Sequence, residues 1–162
     1  YHFDITRPGA ALYGINPQPE KKSIMNEVVR LQAKILQVQR VDTNQTVGYG
    51  ATYKVKKPGR IATIGVGYAD GYMRAGSGFA QAYIGDFRIP VVGRISMDLI
   101  TLDISAVPER YSHVGSIVDL IGPNYSVDSL AKDSGTIGYE ILTSLGKRYN
   151  RTWEGIGNTV KN

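Results

Sequence analysis

The chain has 162 residues, of which 42% are hydrophobic and 20% are charged, a composition typical of a globular domain with its own core. It contains no cysteine, which excludes a disulfide framework, a thiolate metal site and a cysteine nucleophile. The net charge of +5 comes from scattered lysine and arginine residues, so the sequence does not indicate a nucleic-acid-binding face. No apolar run has the length of a membrane-spanning helix, and the first residues do not resemble a signal peptide, so we expect a cytoplasmic protein that does not enter a membrane.

The first part of the chain is predicted to form a strand and a connector. Residues 3–14 are typical of a strand that is broken by Pro8 and Gly9 and followed by a short turn ending at Gly14. Residues 15–22 are polar and contain prolines, which is typical of a connecting segment. From residue 29 to residue 36 apolar and polar side chains alternate, which favours a strand, although Ser23 is also a candidate helix cap.

Residues 47–53 place a tyrosine, Tyr49, between Gly48 and Gly50. Glycine allows the backbone to bend sharply or to approach a ligand closely, so the phenol could point into a pocket instead of lying on a sheet face. The alternative interpretation is the start of a strand with a turn glycine on either side. On these seven residues alone that alternative is the better one.

Strand patterns continue through the middle of the chain and helix patterns come only near its end. The predicted strands cover residues 61–66, 82–84, 87–92, 95–104 and 116–121, with Gly85 and Asp86 forming a tight hairpin. Ser126 and Thr136 are predicted to cap two short helices that end near Gly135 and Gly146. The pattern predicts a mainly β, barrel-like antiparallel domain with two short helices near the C-terminus.

Several common motifs are absent. Residues 65–71 resemble a dinucleotide loop, but Asp70 occupies the position of the third glycine and no helix pattern follows. His2 and His113 are far apart in sequence without a carboxylate pair at ligand spacing, so we expect no metal site. We interpret His113 as a surface or turn residue, and no serine lies in a nucleophile elbow.

Five segments occur in an order and spacing that match one known family. They are residues 7–14, 47–53, 67–72, 92–98 and 138–143. Together they resemble the C-terminal portion of alanine racemase, the pyridoxal-phosphate enzyme that interconverts L- and D-alanine. The resemblance implies that residues 1–14 are the last strand and loop of an N-terminal α/β barrel, residues 15–26 a linker, and residues 27–162 the C-terminal β-domain. It also implies a homodimer in which the β-domain of one subunit completes the active site of the other.

The resemblance assigns a role to Tyr49 and to Arg7. Tyr49 matches the catalytic tyrosine, which acts on the L-face of the substrate while the lysine that bears the cofactor acts on the D-face. A phenol with an ordinary pKa near 10 is a poor base at neutral pH unless cationic neighbours assist it. Arg7 matches the arginine beside the pyridine nitrogen of the cofactor, which it keeps unprotonated.

Further positions match residues that bind the cofactor phosphate and the substrate. Gly9 and Ala10 match the positions whose backbone N–H groups hold the phosphate, and Tyr139 matches the tyrosine whose hydroxyl also binds it. Met97 matches the residue whose N–H contacts the substrate carboxylate, although on an apolar strand it would be a core residue. The residues that match the access channel are Tyr68 at its inner gate and Arg74, Arg94 and Asp98 in its charged outer layer.

The lysine that bears the cofactor belongs to the barrel and has no counterpart in this chain. Lys54, Lys56 and Lys57 follow the tyrosine in a charged hairpin and do not replace it. We therefore expect that this chain alone neither binds pyridoxal phosphate covalently nor racemises alanine, and that it needs the barrel domain as a partner.

Three alternatives remain open at this point. One is a racemase of the same fold that acts on serine or another amino acid, although Tyr139 favours alanine. Another is a stand-alone β-barrel module that binds an anionic ligand, with tyrosines as stacking platforms. The third is a racemase subunit cleaved between its two domains.

Overall fold

The computed structural model describes residues 4–18, 20–155 and 158–161, and in this part of the chain the regular structure is mostly β. The strands are β1 (Leu31–Val41), β2 (Thr46–Val47), β3 (Tyr53–Lys54), β4 (Gly59–Ile64), β5 (Gln81–Ile84), β6 (Phe87–Pro90), β7 (Ile100–Asp103), β8 (Ile117–Ile121), β9 (Thr152–Gly155) and β10 (Asn158–Lys161). Two α-helices, α1 (Val127–Asp133) and α2 (Gly138–Ser144), lie between β8 and β9.

Six of these strands form one antiparallel sheet in the order β6-β5-β8-β1-β4-β7. Strand β1 is shared by both halves, because residues 31–34 pair with β8 and residues 35–41 pair with β4. The register of the β1–β4 pair shifts at Leu36, which is how a bulge lets one strand bend and change its neighbour. The bend turns the sheet back towards its own edges.

The two edges of this sheet meet. Immediately after β6, Val91 forms a bridge with Leu102 of β7, and the Val92 N–H donates to the Thr101 carbonyl oxygen at 2.9 Å. The result is a nearly closed antiparallel barrel, which confirms the fold class predicted from the sequence.

The barrel encloses the core. Its fully buried side chains come from alternate positions of the strands, as the period of two requires, and include Ile35, Ile64, Ile89, Ile100, Leu102 and Leu120. Helices α1 and α2 add Leu130 and Ile141 to the same cluster. The Ser126 hydroxyl accepts from the Ser129 N–H at 3.1 Å, which confirms the predicted cap of α1.

Residues 10–16 are packed against the domain. A 3₁₀ turn covers Ala10–Tyr13, Ile15 is buried in the core, and the Asn16 N–H donates to Asp128 Oδ2 at 2.8 Å. The start of the predicted linker is therefore fixed against α1. Residues 4–9 have no regular structure, Phe3 lies outside the described residues, and the assignment of residues 1–14 to a barrel strand stays a prediction.

Three local predictions were wrong. Residues 95–99 do not continue a strand, because the Ser96 backbone N–H donates to the Leu99 carbonyl oxygen and the Leu99 N–H to Ser96 Oγ, which closes a turn. The residue that caps α2 is Ile137, since Thr136 instead bonds the Glu140 carboxylate through its side chain. No strand was predicted after residues 116–121, yet β9 and β10 pair with each other there. Their sequence lacks the apolar alternation that would have revealed them.

Leu102 gives a test of the closed barrel. Leu102→Ala removes a fully buried side chain from the strand that closes the sheet, and we expect it to lower the free energy of unfolding by about 2–5 kcal/mol. Leu99→Ala is the matched control, because Leu99 is largely exposed, and it should change that free energy by less than about 1 kcal/mol. Urea denaturation of both variants measures the difference, and equal losses would contradict the burial of Leu102.

Candidate active site

A depression of about 470 Å³ lies beside the loop between β2 and β3. Its lining consists of Tyr49, Tyr68, Arg74, Arg94, Ile95, Ser96, Met97, Asp98 and Leu99. The sequence positions that match catalytic, substrate-contacting and channel residues are all in this set. The structure thus brings together residues from four separate segments of the chain, while their individual roles remain predictions.

Tyr49 projects from a loop and not from a sheet face. Strands β2 and β3 form a two-residue ladder, and a 3₁₀ turn at Tyr49–Ala51 connects them. Gly48 and Gly50 have φ values of 79° and 71°, a left-handed conformation that glycine adopts without strain. Tyr49 is 74% exposed, so its phenol is presented outward by a backbone that is itself tightly turned.

A close approach of two glycines places Tyr49 next to the arginine of the neighbouring loop. A Cβ on Gly48 would lie 3.0 Å from the backbone nitrogen of Arg94, and a Cβ on Gly93 would lie 2.8 Å from the Val47 carbonyl oxygen. The two backbones can approach this closely only because neither residue has a side chain. Tyr49 and Arg94 consequently line the same depression.

Backbone hydrogen bonds between the segments at residues 68–69 and 96–97 position Tyr68 and Met97. The Tyr68 N–H donates to the Ser96 carbonyl oxygen at 3.0 Å and the Ala69 N–H to the Met97 carbonyl oxygen at 2.9 Å. Met97 is 55% exposed and is not a core residue, and its own N–H donates to no group in the described part of the chain.

Arg148, which the sequence analysis did not identify, binds two carboxylates, one of which lines the depression. Its Nη1 donates to Asp98 Oδ1 at 2.8 Å, and its Nε lies 3.1 Å from Asp70 Oδ1. The hydrogen bond to Asp98 and the negative charge of Asp70 raise the pKa of Arg148. No local sequence signal could have revealed this pairing, because Arg148 follows a helix end and its partners are distant in the chain.

A second cluster consists of Gly9, Ala10 and Tyr139. Tyr139 lies in the first turn of α2, and a Cβ on Gly9 would collide with its hydroxyl group. The N–H groups of Gly9 and Ala10 and the Tyr139 hydroxyl have no hydrogen-bond partner among the described residues. The Tyr139 hydroxyl therefore lies against the Gly9 backbone without an internal acceptor for these donors. Arg7 lies two residues before Gly9 in an exposed, irregular segment, and no described contact fixes its side chain.

The described residues contain no cluster of three or more metal-ligating side chains and no helix long and apolar enough to cross a membrane. His113 is exposed in a turn, where its N–H donates to Ser116 Oγ, and His2 lies outside the described residues.

The fold and the depression define a class: a β-barrel domain that presents a glycine-flanked tyrosine beside a loop that carries Arg94, Met97 and Asp98. The family model described as alanine racemase, C-terminal domain, matches residues 28–153. The chain belongs to the alanine racemase C-terminal-domain family.

Curated relatives support this membership. The chain is 51% identical over 156 residues to the alanine racemase of Rhodospirillum rubrum, a match that covers 96% of this chain and 42% of the relative. It is 48% identical over 167 residues to the alanine racemase of Brucella canis, covering 94% and 42%. The chain thus spans about two fifths of the length of these relatives.

Solved structures share the fold. The alanine racemase of Bartonella henselae with covalently bound pyridoxal phosphate superposes with a TM-score of 0.85 at 39% identity, covering 91% of this chain and 41% of the other. The biosynthetic alanine racemase of Pseudomonas aeruginosa superposes with a TM-score of 0.86 at 36% identity, covering 92% and 42%.

The close approach of Gly48 and Gly93 can be tested with two alanine variants. Gly93 and Gly78 have φ values of 70° and 77°, so alanine is conformationally strained at both, but only the Gly93 variant also meets the Val47 carbonyl oxygen. We expect Gly78→Ala to lower the free energy of unfolding by about 1–2 kcal/mol and Gly93→Ala to lower it by more. Chemical denaturation measures both free energies of unfolding. Equal losses in the two variants would show that the close approach of Gly48 and Gly93 tolerates a side chain.

Proposed function

We propose that this chain is the β-domain of a pyridoxal-phosphate-dependent alanine racemase and that it supplies Tyr49 as the base for the L-face of the substrate. The observation that carries this proposal is an exposed phenol on a constrained glycine turn, in one depression with Arg74, Arg94 and Met97. The Met97 N–H has no partner among the described residues. In the same proposal, residues 1–14 complete an N-terminal barrel and residues 15–26 connect it to the domain.

The reaction removes a proton from one face of the substrate Cα and returns a proton to the other face. Tyr49 Oη, as a phenolate, takes the Cα proton of L-alanine and becomes a phenol, and the barrel lysine delivers a proton to the opposite face. The substrate loses one proton and gains one, while the tyrosine ends protonated and the lysine deprotonated. The reverse direction starts with the lysine and returns both bases to their first state. The guanidinium groups of Arg74 and Arg94, which line the same depression, attract the carboxylate of the substrate.

The cluster of Gly9, Ala10 and Tyr139 fits a phosphate group. The Gly9 backbone approaches the Tyr139 hydroxyl too closely to admit a Cβ, and phosphate oxygens accept hydrogen bonds from backbone N–H groups and hydroxyls of this kind. Pyridoxal phosphate, when bound, supplies an electron sink for the negative charge at Cα. In this proposal Arg7 lies beside the pyridine nitrogen of the cofactor and keeps it unprotonated, because a guanidinium gives up no proton.

The exposure of Tyr49 fits an active site shared between two subunits. A phenol that is 74% exposed on its own domain needs a second surface to exclude water from the reacting atoms. We infer that the barrel of a partner subunit supplies that surface, so that the protein works as a homodimer. Its product, D-alanine, would serve cell-wall synthesis in the bacterial cytoplasm.

Tyr49→Phe tests the catalytic assignment in the full-length enzyme. Removal of the hydroxyl deletes the proton acceptor on one face, so we expect kcat for L-alanine to fall by about 10²–10⁴-fold. Tyr53→Phe is the matched control, since Tyr53 is four residues away and bonds Asp103 at 3.3 Å outside the depression. Polarimetry gives both rates, and activity that survives Tyr49→Phe would remove this residue from the mechanism.

Gly9→Ala tests the phosphate site. The added methyl group must displace the Tyr139 hydroxyl, so we expect the affinity of the full-length enzyme for pyridoxal phosphate to fall by about tenfold or more. Gly155→Ala is the control, because nothing lies within 4 Å of a Cβ there. Cofactor retention on dialysis, followed by absorbance, separates the variants, and equal retention would contradict the phosphate site.

A further inference from the structure

Arg148 forms two ion pairs whose carboxylates lie in different parts of the domain. Asp70, at 3.1 Å, has a side chain that is 8% exposed, whereas Asp98, at 2.8 Å, has a side chain that is 52% exposed and lines the depression. One end of the guanidinium is therefore held by a buried group, and the other reaches a carboxylate on the rim.

The buried end is rigidly fixed by the backbone. Asp70 Oδ2 accepts from the Gly67 N–H at 2.9 Å, and the Asp70 carbonyl oxygen accepts from the Gly146 N–H at 2.9 Å. A planar guanidinium offers several N–H donors in a fixed arrangement, so its orientation at Asp70 also sets the position of its contact with Asp98. Asp98 is tied to the interior of the domain through Arg148.

The attachment of Asp98 to Arg148 affects Arg74 and Arg94, the two arginines that line the depression. Asp98 lines the same depression as Arg74 and Arg94, yet no carboxylate in the described part of the chain forms an ion pair with either arginine. A half-exposed aspartate without Arg148 would be free to turn towards these arginines, because opposite charges a few ångströms apart attract each other even near a surface. Either pairing would reduce the positive charge offered to an incoming carboxylate.

We infer that Arg148 is a positioning residue that holds Asp98 away from Arg74 and Arg94, so that both arginines stay available to the carboxylate of the substrate. This inference rests on the proposed function, because it takes the depression as the route of an amino acid. Arg148 itself does not line the depression and acts only through Asp98.

The test uses the full-length enzyme with Arg148→Met, which keeps much of the side chain but removes the charge. We expect KM for L-alanine to rise about tenfold with kcat within about twofold, the pattern of lost ground-state binding. Arg148→Lys should recover part of the loss. The double variant Arg148→Met/Asp98→Asn should bring KM back to within about threefold of the original, because the competing carboxylate is gone.

Arg151→Met is the matched control. Arg151 donates to the carbonyl oxygens of Leu145 and Gly146 in the same loop but contacts no carboxylate of the rim. A rise in KM as large as that of Arg148→Met would show that loop stability, not the position of Asp98, explains the effect. A second readout is the binding of propionate, measured by NMR titration. Propionate should bind more weakly to Arg148→Met but not to the double variant or to Arg151→Met.

The outcomes separate this inference from the proposed function. If Tyr49→Phe abolishes racemisation while Arg148→Met leaves KM and propionate binding unchanged, the inference is wrong and the function stands. If Tyr49→Phe leaves racemisation intact, the proposed function fails whatever Arg148 does. A double variant whose KM stays as high as that of Arg148→Met also overturns the inference, because Asp98 would then not be the cause.

Discussion

The close approach of Gly48 and Gly93 is the constraint on which the depression depends. Gly93 follows directly after Val92, whose hydrogen bond to Thr101 helps to close the barrel, and Gly48 precedes Tyr49. Closure of the sheet therefore fixes the loop at residues 93–99, and that loop in turn fixes the turn that carries the tyrosine. Ordinary hydrophobic burial inside the barrel thus determines the position of an exposed phenol that contributes little to the core.

Helix α2 connects the two clusters of polar groups. Its first turn carries Tyr139 against Gly9, and the segment after its end holds Asp70 through Gly146 and Arg148. Gly71 also approaches this helix so closely that a Cβ there would collide with the Ser144 carbonyl oxygen. A helix of only seven residues therefore sets the spacing between the cluster of Gly9, Ala10 and Tyr139 and the ion pair of Asp70 with Arg148.

Local patterns predicted most of the fold but not the contacts that build the site. The alternation in β1, the hairpin at Gly85 and the cap at Ser126 are short-range features, and each was correct because burial and backbone geometry agree there. The strand over residues 95–104 was wrong at its start because the Ser96 side chain closes a turn that the apolar pattern does not reveal. Residues such as Tyr49 and Met97 were found through the family resemblance. Arg148 was missed because its importance depends on two partners that only the folded chain brings together.

The closure between Val91 and Leu102 also limits how other polypeptides can attach to this domain. Strand pairing with a second chain requires a row of unpaired backbone N–H and C=O groups along a sheet edge. In the six-stranded sheet, the edges formed by β6 and β7 instead turn towards each other, and Val91 and Val92 use part of their backbone groups for that contact. At Val91 and Val92 a second chain therefore cannot add a strand, and a partner that docks there has to recognise loops and side chains.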